Sequence, residues 1–459
     1  KDDLRKVIAI ALSQQADDLQ KANRFDEAAQ KMVDLQNEFP KHELAPKALF
    51  NAASIYEKGR KTDRALELYM KLLHVYPDHE VSPDATFVVG AIHEARTEYE
   101  QAAGFFESLK KWPAHSLTPD AIFNAGAIRM ALGKHEEAIA SFQLYMTMYK
   151  DKPDVPDVYL LIAEAYEKMK SWDKAIDQYK GFAKKFPANA AGVMKSNLQI
   201  AKTILARNPD ADTEAAPYFV AVVNAFKRLA AKDKEGPLRH LAAEARFLEG
   251  EAAFKKMKAV QLALPEWVFR RTIREKAELQ LKTQSIYQDV FQMKSDRWSA
   301  AGATRIGDLY VEFSDALYRV PIPKELNIDE QELYRALIDE VAFPLQEKAI
   351  AAYQTAVAMA QEKQVYSPWS AAGARSLAKL NPESFPLTAE QAVRNDHPSD
   401  VVFDAGLVSE AQAPAPRVPI FTPAAPAPAG ALPVQPPTAS PPPAAPAGAP
   451  GTAAPGGGN

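Results

Sequence analysis

The sequence has no cysteine. That removes disulfides, zinc fingers and thiol nucleophiles together, and it leaves the compartment open. Long apolar runs are missing too: nothing approaches the ~18 consecutive apolar residues of a membrane-crossing helix. No charge of one sign dominates, because 55 basic residues face 59 acidic ones, so a nucleic-acid partner has no electrostatic footprint. The eight histidines form no His-Glu-x-x-His pair or other zinc spacing, and no Gly-x-Ser-x-Gly elbow occurs. Gly126 to Lys134 ends in Gly-Lys, but His135 follows where a phosphate loop needs Ser or Thr. No catalytic constellation, cofactor site or metal site emerges, and an enzyme is not expected. Lys1 rather than Met at the start leads to the expectation of a removed targeting segment or of a fragment. Without a cysteine there, a lipidated N-terminus is not expected.

What is present is a repeat. Ala28, Ala65, Ala102, Ala138 and Ala175 stand 37, 37, 36 and 37 apart. A second ladder, Phe39, Tyr76, Trp112, Tyr149 and Phe186, steps by 37, 36, 37 and 37. Four of these aromatics precede a proline, at Pro40, Pro77, Pro113 and Pro187. Two independent ladders with one period mark a structural unit. Each unit reads as two helices. Leu49, Ala52, Ala53 and Tyr56 share one face of a helix from Pro46 to Lys58, and Leu68, Leu72 and Val75 one of a helix from Arg64 to Val75. Tyr76-Pro77 then stops the second helix. Ala53, Gly90, Gly126 and Ala163 are small where helix axes must approach closely. One pair cannot bury its own apolar face, so stacking supplies the core.

These residues resemble the tetratricopeptide repeat. The unit from Pro46 supplies Ala53, Tyr56, Ala65, Tyr69 and Pro77, and the unit from Pro156 supplies Ala163, Tyr166, Ala175, Tyr179 and Pro187. The two middle units depart from the pattern with His93 and Arg129 where Tyr is usual. The resemblance implies an all-α, right-handed superhelical solenoid and a protein-binding scaffold. Residues 1–189 read as five such repeats.

Residues 190–380 read as divergent repeats with longer helices: Gly192–Arg207, Thr213–Lys232, Pro237–Met257, Glu266–Met293, Arg297–Tyr318, Asp329–Lys363 and Pro368–Leu380. Trp298-Ser-Ala-Ala-Gly-Ala recurs at Trp369, a separation of 71 that suggests two repeat lengths. Residues 381–410 read as a transition. Residues 411–459 carry fifteen prolines and one charged side chain, Arg417, and are expected to be a disordered tether with polyproline II character.

The sharpest functional feature lies on the first helices. Phe50, Phe87 and Phe123 share one repeat position, with Leu160 following in the next unit, and Asn51 and Asn124 stand beside them. In proteins of the resembled family that position faces the groove, which implies a surface that holds an extended or helical peptide. The rings could equally turn inward as core, and the residues alone leave both readings open. A clamp for a terminal carboxylate is disfavoured, because Phe and small residues replace its Lys and Asn.

Regular repeats, the segment Tyr366–Arg375 and the alanine-proline tail together resemble the large myxobacterial adventurous-gliding proteins of the AgmU (GltD) or AglT (GltE) kind. That likeness implies a periplasmic scaffold in an envelope-spanning motility machine, with other subunits as partners. A second reading is an envelope-assembly or polymer-export adaptor.

Overall fold

Proline opens four of the five regular first helices, and an aromatic residue marks where each second helix ends. The computed structural model describes residues 2–230, 234 and 236–386. Among these residues lie seventeen α-helices and no strand. The regular part comprises α1 (Asp2–Lys21), α2 (Phe25–Glu38), α3 (Ala45–Lys58), α4 (Thr62–Val75) and α5 (Ser82–Ala95). It continues with α6 (Tyr99–Ser108), α7 (Thr118–Ala131), α8 (His135–Met148), α9 (Val155–Lys168) and α10 (Trp172–Lys185). Then follow α11 (Ala190–Arg207), α12 (Asp212–Arg228), α13 (Pro237–Ala259) and α14 (Glu266–Gln292). The last are α15 (Asp296–Tyr318), α16 (Ile328–Lys363) and α17 (Pro368–Leu380). Consecutive helices pack antiparallel in pairs and each pair packs on the next, an all-α solenoid of the tetratricopeptide type.

Every turn inside a regular pair is built alike. Asn23, Arg60, Thr97, Gly133 and Lys170 take left-handed backbone, with φ of 58°, 58°, 62°, 76° and 55°. The next amide reaches back five residues, as Lys61 N to Tyr56 O at 2.8 Å, which closes the first helix with a Schellman motif. The turns between pairs are equally regular. Phe39 (φ −127°, ψ 56°), Tyr76 (−129°, 55°) and Phe186 (−128°, 56°) end their helices in one conformation. Tyr76 Oη donates to the Pro40 carbonyl at 2.6 Å and Tyr149 Oη to that of Pro113 at 2.9 Å, so each hydroxyl ties its pair to the one before. His42, His79 and His115 keep the same period, and each Nδ1 accepts the amide two residues on, at 3.2, 3.3 and 3.4 Å. These histidines shape turns.

The core is a chain of small-residue and aromatic locks. The Phe106 ring lies so close to Gly90 that a Cβ there would sit 2.8 Å from it, and Phe142 stands at 2.5 Å from the same point on Gly126. Real Cβ atoms do not approach rings that closely, so a larger residue would force the helices apart. Position for position, Tyr69 and Tyr179 are buried in the other regular units beside Ala53 and Ala163. The polar departures find partners nearby. His93 stacks on Phe105 and bonds Glu98 at 2.5 Å, while Arg129 pairs with Glu107 and bonds Ser141 Oγ at 2.6 Å.

From α11 to α16 the helices lengthen and the same lock closes at wider spacing. Gly250 on α13 faces Tyr287 on α14, and Gly307 on α15 faces Tyr353 on α16, each leaving 2.5 Å between an added Cβ and the ring. The acid after each glycine accepts the buried hydroxyl: Glu251 from Tyr287 and Asp308 from Tyr353, both at 2.6 Å. Arg305 joins the two sites, with Nη2 at 2.5 Å from Glu251 and Nη1 at 2.8 Å from Asp308. Alternate helices α9, α11, α13, α15 and α17 also approach one another directly here.

Two expectations change, and a third lies outside the described residues. The helix anticipated to Lys232 ends at Arg228, where Leu229 turns to extended backbone (ψ 149°); Lys232 itself lies outside the described residues. The 71-residue echo spans one enlarged pair, α15 and α16, because Trp298 and Trp369 begin successive first helices. Both indoles pack on Phe247, at 5.0 and 5.1 Å between ring centroids. The transition beyond residue 386 and the proline-rich stretch 411–459 lie outside the described residues.

Candidate functional site

Four prolines, Pro46, Pro83, Pro119 and Pro156, sit in the first turns of α3, α5, α7 and α9. Proline is tolerated there because the first-turn amides lack helical partners, and its fixed φ pins the helix start. Positions counted from it therefore fall on the same face in every unit.

Phe50, Phe87 and Phe123 occupy that register and are half-buried. Each ring rests on an aromatic of its own second helix: Phe50 on Tyr69 at 5.4 Å, Phe87 on Phe106 at 5.3 Å, and Phe123 on Phe142 at 6.0 Å. One edge of each ring belongs to the core and the other borders solvent. Each ring is thus packed against the core and still partly accessible. Asn51 is exposed and Asn124 half-buried, one position further round the same faces.

The fourth member differs. Leu160 is 3% exposed and packs in the core with Ala163 and Tyr179, so it offers almost no surface to a partner. Tyr159 takes the half-buried place, its ring 6.0 Å from Phe182 and 5.6 Å from Phe186, with Lys185 Nζ 5.3 Å above it. The cause is Gly181. A Cβ there would stand 2.3 Å from the Tyr159 hydroxyl, so the missing side chain makes the room into which the phenol leans. In earlier units that register holds Lys71, Ser108 and Leu144, and the change to glycine was the readable signal.

Beside this row runs a more solvated one, formed by Lys47, Asn51 and Ser54 on α3, Asp84, Val88 and Ala91 on α5, Asp120, Asn124 and Ala127 on α7, and Asp157, Leu161 and Glu164 on α9. It mixes amides, carboxylates and small apolar groups. Lys47 reaches Glu80 at 2.5 Å and His115 reaches Asp84 at 3.4 Å, so charges on this row already bind neighbouring turns. Exposed pairs of this kind hold register more than they stabilise. No group of three or more metal-ligating side chains occurs among the described residues. No helix there is long and apolar enough to cross a membrane.

The tetratricopeptide repeat family matches residues 47–79 and 157–189, and a second tetratricopeptide repeat profile matches residues 119–152. The chain therefore carries tetratricopeptide repeats, which are protein-interaction modules. Similar solved structures include MamA, 18% identical over 40% of this chain and 94% of that one, with a TM-score of 0.29. The C-terminal part of a TPR repeat-containing protein from Cytophaga hutchinsonii is 17% identical, covering 58% of this chain and 94% of that one, with a TM-score of 0.34. A tetratricopeptide repeat protein from Parabacteroides merdae is 14% identical, covering 59% and 99%, with a TM-score of 0.29. No curated protein matches the chain.

Proposed function

We propose that the protein is a non-catalytic scaffold that holds a peptide segment of a partner protein along the first helices α3, α5, α7 and α9. The observation that carries this reading is the shared register. Three helices begun by proline present half-buried Phe50, Phe87 and Phe123 at one register, and on the fourth Tyr159, one position earlier, is the half-buried aromatic, beside a row that includes Asn51 and Asn124. Aromatic edges supply apolar contact and the amides can pair with a peptide backbone, the two elements that peptide-binding grooves combine. The proposal extends to a periplasmic place in an envelope-spanning machine, on the resemblance of the Tyr366–Arg375 segment and the alanine-proline stretch. The machine is left at that broader class.

The test uses the solvated row, because replacing the phenylalanines would also open the core. Peptides selected on the full chain from a displayed random library should bind about tenfold more weakly to an Asn51→Asp, Val88→Ser, Asn124→Asp variant of unchanged helicity. Undiminished binding of every selected peptide would remove these helices from the proposal. Fractionation of cells carrying a tagged chain with its native upstream sequence tests the compartment, and recovery in the cytoplasm alone would refute the periplasmic part.

A further inference from the structure

The first half of α16 is a helix that exposes its apolar side. Sixteen large hydrophobic side chains are exposed among the described residues, and five of them fall within residues 328–343. They are Ile328 at 75%, Leu333 at 62%, Leu337 at 53%, Val341 at 52% and Phe343 at 61%. Leu333, Leu337 and Val341 follow one another at four-residue steps, which makes a continuous stripe along the helix. Isolated exposed leucines need no explanation, but a stripe of them marks a contact surface.

This half is secured by its own start. Asn327 and Glu330 form a reciprocal capping box at 3.0 and 2.8 Å, and Gln331 bonds the Leu326 carbonyl at 2.9 Å. Tyr318 at the end of α15 donates to Asp339 at 2.9 Å. Beside the stripe, Leu317, Val320, Ile322, Tyr334 and Ile338 line a cleft of about 270 Å³, large enough for one inserted side chain. Pro344 follows, and beyond it Ala349, Tyr353, Ala356 and Ala360 turn the helix into the core. Ile338 and Ala342 pack one side of the first half against the core, and the stripe on its other side is left without a role in the fold.

The charges around the stripe select its occupant. Asp329, Glu330, Glu332, Asp339 and Glu340 are all exposed, against Arg335 alone. Antiparallel pairing of this helix with a second copy would bring carboxylates against carboxylates, and an anionic lipid surface would be repelled in the same way. We propose that residues 328–343 of α16 form a second docking surface, apart from the first-helix rows, for a basic amphipathic helix of a partner protein. The partner's apolar side covers Leu333, Leu337 and Val341, and its lysines or arginines meet the acidic rim.

The probe is a labelled amphipathic helical peptide of leucine and lysine, with a leucine-glutamate peptide of the same apolar pattern as its counterpart. Anisotropy titration against the full chain should show binding of the basic peptide only. Leu333→Ser with Leu337→Ser should weaken it about tenfold. Glu332→Lys with Glu340→Lys, which leaves the apolar stripe intact, should transfer preference to the glutamate peptide. Equal binding of the basic peptide to the chain and to the double-serine variant would overturn the proposal. So would self-association abolished by the same serines, which would make a second copy the occupant, or serine-sensitive binding to phosphatidylcholine vesicles without peptide preference, which would make it a membrane.

Discussion

The regular pairs α3 to α10 and the enlarged pairs α13 to α16 solve one packing problem with helices of different length. In the regular pairs the small residue and its aromatic partner are close in sequence, as Gly90 with Phe106 and Gly126 with Phe142. In the enlarged pairs they are Gly250 with Tyr287 and Gly307 with Tyr353, much further apart along the chain, yet the approach of ring to glycine is the same. What the fold holds constant is therefore the lock. Helix length is free to grow, because extra turns extend along the helix axes without disturbing the point where the axes touch. The enlarged pairs are also tied by Arg305, which lies 4.7 Å from the Trp369 ring centroid and reaches the acids beside both glycines.

The largest expected effect breaks the lock itself. Tyr287 is fully buried, and Tyr287→Ala should cost about 4 kcal/mol. Phe142→Ala should cost a similar amount if the two regions are equivalent, as paired denaturant titrations would show. A markedly cheaper loss at Tyr287 would mean that the enlarged pairs rest on something else.

A smaller effect concerns charge in the regular region. Burial pushes Glu107 up, but hydrogen bonds from Lys110 and Arg129 outweigh it and hold the carboxyl below its ordinary value of 4.5. A depressed carboxyl stabilises the fold above its unfolded value, and that contribution disappears as pH falls through the folded value. Glu107→Gln should therefore be less stable than the parent by about 2 kcal/mol at neutral pH. The gap should close as the pH drops below 4.5, and a gap that persisted into strong acid would assign the loss to packing.

The smallest effect is a gain. Thr97 is β-branched and held at φ 62°, where Gly133 stands in the next unit. Thr97→Gly should raise stability by about 1 kcal/mol, read as a higher midpoint in the same titration.

Much of this architecture was legible in the residues. The alanine and aromatic ladders marked the unit, and the helices anticipated beyond residue 190 begin and end within a few residues of those the structure forms. Register within a unit was harder. Whether position 159 or 160 faces outward depends on the space opened by Gly181 on the partner helix, a tertiary cause that no single-helix pattern carries. The spacing of 71 was read with the regular unit as its ruler, and the ruler fails where α16 alone runs to 36 residues. The turn histidines His42, His79 and His115 repeated with the period, yet their acceptor role needed the turn geometry to be seen.

Hydrogen exchange resolved along the chain, compared between the parent and Tyr287→Ala, asks most directly whether this protein is a row of pairs, each held by its neighbours. Protection should fall in α13, α14 and α15 and persist in α3 through α8. Uniform loss from α1 to α17 would contradict the account, because it would show one cooperative core in place of a stack.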